Sequence, residues 1–155
     1  MIEALRKRLD RDEEGFTLIE LMVVVLIIAI LIAIAIPTFL GARERAQDRA
    51  AQSDIRNAFT AEKVYYTDNQ EYTATTADLK AIEPSLTFVT ATTPDDTGVA
   101  VNVTSDVLYL GLESASGTCF YLKDTPSGAT AGTQYAKADT CGDMTAGTVT
   151  WADKW

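Results

Sequence analysis

A glycine, an aromatic and a lone acid stand at fixed spacing in Gly15-Phe16-Thr17-Leu18-Ile19-Glu20, and residues 21–36 follow without a single polar side chain. The chemistry open to this arrangement is a peptide cut after Gly15 and the charge that the cut would create. A new ammonium on Phe16 would sit one helical turn from the Glu20 carboxylate. A neighbouring copy, slid along the axis, would bring its own ammonium to the same group. That partner matters, because an ionised carboxylate at the edge of a membrane segment costs on the order of 3 kcal/mol when nothing neutralises it. A plain single-pass anchor would need neither the Gly15-Phe16 junction nor Glu20.

The second reactive pair is Cys119 and Cys141, 22 residues apart and both outside the apolar run. One disulfide closed outside the reducing cytoplasm fits this usage and would be worth on the order of 3 kcal/mol. Two buried free thiols are the alternative; zinc is poorly served, because histidine is absent from the chain and two cysteines leave the ligand set short. Without histidine there is no Ser-His or Cys-His pair, and no glycine-rich phosphate loop precedes a helix. The chain is therefore expected to be no enzyme and to carry no cofactor. Asp139 and Asp143 flank Cys141, and Asp95 and Asp96 adjoin one another, but such acids usually sit in solvated turns and supply too few oxygens for calcium. No metal is expected.

The junction and the run behind it resemble the type IV pilin family, whose signature is a charged leader ending in glycine, then Phe-Thr-Leu-Ile-Glu, then an apolar helix. The likeness is close over about residues 11–66. It implies that a prepilin peptidase cleaves between Gly15 and Phe16, that the new Phe16 amine is N-methylated, and that Glu20 helps a subunit dock into a growing filament. Pro37 matches a family proline within the apolar helix. The resemblance further implies a homopolymeric helical filament, an assembly platform with motor proteins, and a subunit held in the inner (cytoplasmic) membrane before it joins an extracellular pilus.

The elements that must position these residues follow from pattern. Residues 16–40 offer 25 positions broken only by Thr17, Glu20, Pro37 and Thr38, enough to span the roughly 30 Å hydrocarbon core. Helix should continue to about residue 66, since residues 42–66 are rich in Ala, Arg, Glu and Gln and lack Gly and Pro. Such a helix would be roughly 75 Å long at 1.5 Å per residue. Ala51, Ile55, Ala58, Ala61 and Tyr65, broadened by Phe59 and Val64, form the stripe expected to pack on a globular part. Pro37 and Gly41 predict a bend or local loosening around residues 34–41. A short helix is expected at 76–82 behind a Thr cap, then strands at 86–92, 99–104, 107–113 and 118–123, with a further one at 134–137. Val99, Val101 and Val103 alternate with Ala100, Asn102 and Thr104, the pattern of a half-buried antiparallel strand. The expected architecture is α+β: a leader at 1–15, a long helix at 16–66, and a β-domain at 67–155 whose small antiparallel sheet rests on the helix stripe. The tail at 138–155 should be pinned to a strand through Cys141, with Trp151 and Trp155 packing it down.

Charge narrows the partners. The formal charge of −9 includes four Lys/Arg against five Asp/Glu in residues 1–15, leaving −8 for the remainder. An acidic surface repels phosphate backbones, so no nucleic-acid partner is expected. Four Lys/Arg precede the apolar span, while Arg43, Arg45, Arg49 and Arg56 follow it, so counting positive charges leaves orientation undecided. A cytoplasmic N-terminus is taken from the family resemblance and from the need to oxidise the cysteines. Three functions fit: a major pilin; a pseudopilin of a type II secretion or competence system, which shares the N-terminal motif; and a membrane-anchored binding module that never polymerises.

Overall fold

The computed structural model describes residues 16–155, so the leader at 1–15 lies outside the described residues. Two helices, α1 (Leu18–Asn69) and α2 (Thr76–Ile82), precede five strands: β1 (Phe88–Thr90), β2 (Val99–Thr104), β3 (Val107–Glu113), β4 (Cys119–Thr125) and β5 (Gly132–Ala138). The strands form one sheet in the order β1-β2-β3-β4-β5. The chain is α+β, as the sequence pattern implies. Its described residues divide into two units, with the boundary between Gly41 and Ala42.

In the first unit the helix is apolar on all sides, with a mean hydropathy of 3.3 over its most apolar 18-residue window. Helical geometry continues through Pro37, where the sequence predicts a weak point. Proline has no N–H for the Ala33 carbonyl, so one bond of the ladder is missing although the helix is not interrupted. One residue on, the Thr38 hydroxyl donates to the Ile34 carbonyl at 3.1 Å.

In the second unit α1 presents Ala51, Ile55, Ala58, Ala61 and Glu62 to the core, an i, i+3, i+4 stripe that meets Leu79 of α2 and the inner sheet face of Val99, Val101, Leu108, Leu110, Phe120 and Leu122. Each fully buried aliphatic chain, such as Ile55 or Leu110, contributes roughly 2 kcal/mol. The stripe departs from the expected one at its end: Glu62 is buried, Tyr65 is only half-buried and Val64 is exposed. Counting apolar residues led to Tyr65 and Val64, whereas the helical period from Ala58 leads to Glu62.

The sheet corrects two expectations. β1 runs parallel to β2, pairing Phe88 with Val99 and Thr90 with Val101, while every other pair is antiparallel. The connection between β1 and β2 therefore has to return to the start of β2. It does so over the outer face, with the Asp95 carbonyl accepting the Glu113 N–H at 3.0 Å and Pro94 lying over Gly111. β2 is also buried on both faces over its first half, Val99, Ala100 and Val101, because the outer face carries a second cluster of Ala100, Cys119, Tyr121, Ala136 and Met144, whereas Thr104 at its end is exposed. Gly111 is required there, since a Cβ would stand 2.7 Å from the Met144 sulfur and 3.0 Å from Pro94. The β2–β3 hairpin turns on Ser105 and Asp106, both at positive φ (53° and 65°), the handedness that matches strand twist.

The tail supplies most of the outer layer. Cys141 is bonded to Cys119 on β4, with their Cα atoms 5.4 Å apart. The Met144 N–H reaches the Thr92 carbonyl at 2.7 Å, and Trp151 packs on Tyr109 and Tyr121. Ala152 then bridges Tyr135 at the free edge of β5, and Trp155 packs edge-on against Phe120 and Tyr135 and under the Arg56 guanidinium. The last residues thus blunt an edge strand that would otherwise be free to pair.

Helix and sheet are also joined by polar contacts. Buried Asp124 of β4 accepts from the Lys63 ammonium at 2.8 Å, from the Thr133 hydroxyl at 2.6 Å and from the Tyr72 hydroxyl. Burial pushes the Asp124 carboxyl up, but its bonds to Lys63, Thr133 and Tyr72 outweigh burial and hold it below its ordinary value. Its contribution is therefore present above the unfolded value of 3.8 and lost as the pH falls through the lower folded value. Asp124→Ala is expected to cost about 2 kcal/mol at neutral pH, because it removes the acceptor shared by Lys63, the Thr133 hydroxyl and the buried Tyr72 hydroxyl. Chemical denaturation of wild type and variant measures that cost; equal midpoints would contradict it.

Candidate functional site

At the head of α1, Thr17 and Glu20 satisfy each other. The Glu20 Oε2 accepts both the Thr17 N–H (2.8 Å) and the Thr17 hydroxyl (2.7 Å), and the Thr17 Oγ1 accepts the Glu20 N–H at 3.2 Å. This is a reciprocal capping box, in which a threonine and an acid three residues on close the free N–H groups of the first turn. The Thr-x-x-Glu spacing of Thr17 and Glu20 announces it in the sequence. Glu20 thus has a local role within its own chain.

Phe16, Ile19, Glu20, Val23 and Val24 share one face of the helix, so the expected cleavage and docking residues lie together. Gly15 lies outside the described residues. Phe16 is 82% exposed, and the apolar side chains from Leu18 to Leu40 are all exposed in the isolated chain. An apolar surface this continuous has no stable place in water; it calls for lipid or an apolar protein surface to cover it.

Beyond Gly41 the surface of α1 becomes charged. Arg43, Arg45 and Arg49 are exposed, and the only ion pair among the described residues is Lys63–Asp124. Of the four acids weighed for calcium, Asp95 and Asp143 are engaged in turns. Asp95 Oδ1 accepts the Thr97 hydroxyl and N–H, and Asp143 Oδ1 accepts the Thr145 hydroxyl and N–H together with the Ala146 N–H. The threonine hydroxyls lead these bonds in holding both carboxyls below their ordinary values. Pro37 lies within α1, remote in sequence from the capping box, and the disulfide belongs to the sheet.

Residues 10–36 match the family of the prokaryotic N-terminal methylation motif. The chain is 35% identical over 83 residues to the type IV wide pilus major component PilA4 of Thermus thermophilus, covering 50% of this chain and 63% of that protein. It is 39% identical over 70 residues to the type II secretion system core protein G of Pectobacterium carotovorum subsp. carotovorum, 45% of each chain. It is 41% identical over 65 residues to the type IV major pilin protein PilA of Myxococcus xanthus, 42% of this chain and 30% of that one. The chain thus spans less than two thirds of the length of each of these relatives.

Proposed function

Because this chain carries, over residues 10–36, the N-terminal methylation motif common to type IV pilins and type II secretion pseudopilins, we propose that it is a major pilin. In this reading it is cut after Gly15, methylated on Phe16, and polymerised through its apolar helix into a type IV pilus. The observation that carries the reading is a helix whose side chains over residues 21–36 are all apolar and exposed directly behind a capped acid. Stored in the inner membrane with its N-terminus in the cytoplasm, that surface is covered by lipid; in a filament it is covered by neighbouring helices. Lipid tails and apolar side chains are similar surroundings, so the transfer costs little and a motor at an assembly platform can drive it.

Glu20 gives the transfer its register. On docking, its carboxylate exchanges part of its bonding to Thr17 for the Phe16 ammonium of an adjacent copy. Pro37, by removing one backbone bond, lets packed helices adjust along their length. Arg43, Arg45 and Arg49 lie beyond the apolar span, where acids of neighbouring copies can meet them.

Electron microscopy of the sheared cell fraction tests the reading: long filaments that vanish on deletion of the gene support it. A second reading, a pseudopilin in a short periplasmic piston, is favoured by the 39% identity to the secretion protein. It predicts secretion loss without sheared filaments. Processing has its own test, since Gly15→Val should crowd the cut site with a β-branched side chain. The expected product is the uncut chain on an immunoblot; a normal mature band would contradict cleavage there.

A further inference from the structure

Glu62 turns into the core of the second unit with no cation to meet it. It is fully buried, its Oε2 accepts the Thr73 N–H at 3.2 Å, and its Oε1 is the one buried side-chain polar atom among the described residues without a partner. Thr73 belongs to the strap at residues 70–75, which joins α1 to α2 and is clipped at three points. Tyr72 bonds Asp124, Thr73 bonds Glu62, and the Ala74 carbonyl accepts the Thr90 hydroxyl at 2.9 Å.

We propose that Glu62 is a proton-operated latch on this strap: as the neutral acid it lets residues 70–75 lie against α1, and as the carboxylate it drives them off so that water can enter. The surroundings leave the carboxylate no other relief. Lys63, next to it on α1, is committed to Asp124 at 2.8 Å and to the Tyr72 hydroxyl. On β4 the nearest charged group on this network is Asp124, an anion held by Lys63, Thr133 and Tyr72 and no source of relief, and the strap adds Tyr72, whose phenol burial and Asp124 keep protonated. Tyr66, on the same helix, stacks against Tyr72 with ring centroids 4.7 Å apart. From α2, Lys80 is spent on the carbonyls of Pro84 and Leu86. A buried charge without a cation is far costlier than a buried acid with one unused oxygen, so water or strap movement must follow ionisation.

Burial raises the Glu62 carboxyl from 4.5 to about 7, against the weaker lowering by the Thr73 N–H. The folded state therefore binds the proton more tightly than the unfolded one. The latch is fully closed below 4.5 and is lost as the pH rises through about 7.

Hydrogen exchange of the full chain in detergent micelles, at about pH 5.5 and about pH 8.5 and corrected for intrinsic rates, tests the proposal on either side of that titration. Wild-type residues 70–75 should open about tenfold more at the higher pH. Glu62→Gln, which keeps an acceptor for Thr73 but cannot ionise, should show no such change. Equal corrected protection at both pH values in wild type, or the same loss in Glu62→Gln, would overturn the latch. Should that variant fail to fold, carbon-13 titration of Glu62 in the wild-type chain decides: a midpoint near neutrality supports the proposal and an ordinary glutamate midpoint overturns it.

Discussion

Glu20→Val is expected to leave the chain in the membrane and to lower the yield of sheared filament by about tenfold or more, the effect of losing roughly 1.4 kcal/mol or more at each subunit addition. Removing a carboxylate from the edge of an apolar helix can only ease insertion, because the charge costs on the order of 3 kcal/mol there. What the variant loses is the anion for the neighbouring Phe16 ammonium. It also loses the Glu20 half of the capping box, the acceptor of the Thr17 N–H and hydroxyl, so valine alone confounds pairing with capping. Glu20→Gln separates the two, since glutamine completes a capping box but carries no charge. Filament yield in Glu20→Gln should be as poor as in Glu20→Val. Recovery with glutamine would assign Glu20 to the helix cap, and normal yield in both variants would remove it from assembly.

The second large effect is expected from Cys119 and Cys141. Replacing both with serine reopens a 22-residue separation and should cost about 3 kcal/mol, a fall in melting temperature of about 10 °C for a chain of this size. The loss should begin in the tail. Met144, Trp151 and Trp155 hold it by packing, but only the disulfide ties it covalently across the outer face of the sheet. Once the tail lifts, Tyr121, Ala100 and Ala136 face water and the edge of β5 is unprotected. Limited proteolysis reads this directly: cleavage within residues 138–155 should appear on reduction while α1 stays intact. Unchanged resistance would mean that packing alone holds the tail.

The sequence was most informative where one residue class dominates a long window. A run with no polar side chain over residues 21–36 admits one structure, an apolar helix, and its continuation to Asn69 follows from the Ala, Arg, Glu and Gln behind it. The cysteine pair was legible for a similar reason: two thiols, no histidine and a small domain leave few uses. Reading failed where burial depends on what lies across the sheet. Ala100 and Gly111 look indifferent to burial until the tail and the loop at residues 91–98 are placed over them, and only then is the first half of β2 covered on both faces. The parallel pairing of β1 escaped notice because three residues carry no direction and the connection that sets it crosses the outer face. Glu62 was missed because an acid on a helix normally faces water, so the apolar count moved to Val64 and Tyr65 instead. The capping box is a different failure. Its Thr-x-x-Glu signature is local and complete, and it was obscured by a longer-range use for the same carboxylate.

The proposed subunit gains its amine by losing its leader. Intact mass and N-terminal sequencing of the protein in the sheared fraction test this most directly. The predicted species begins at Phe16, is heavier by one methyl group, and keeps Cys119 and Cys141 oxidised. A polymer, or a membrane pool, made only of chains that still begin at Met1 would contradict it.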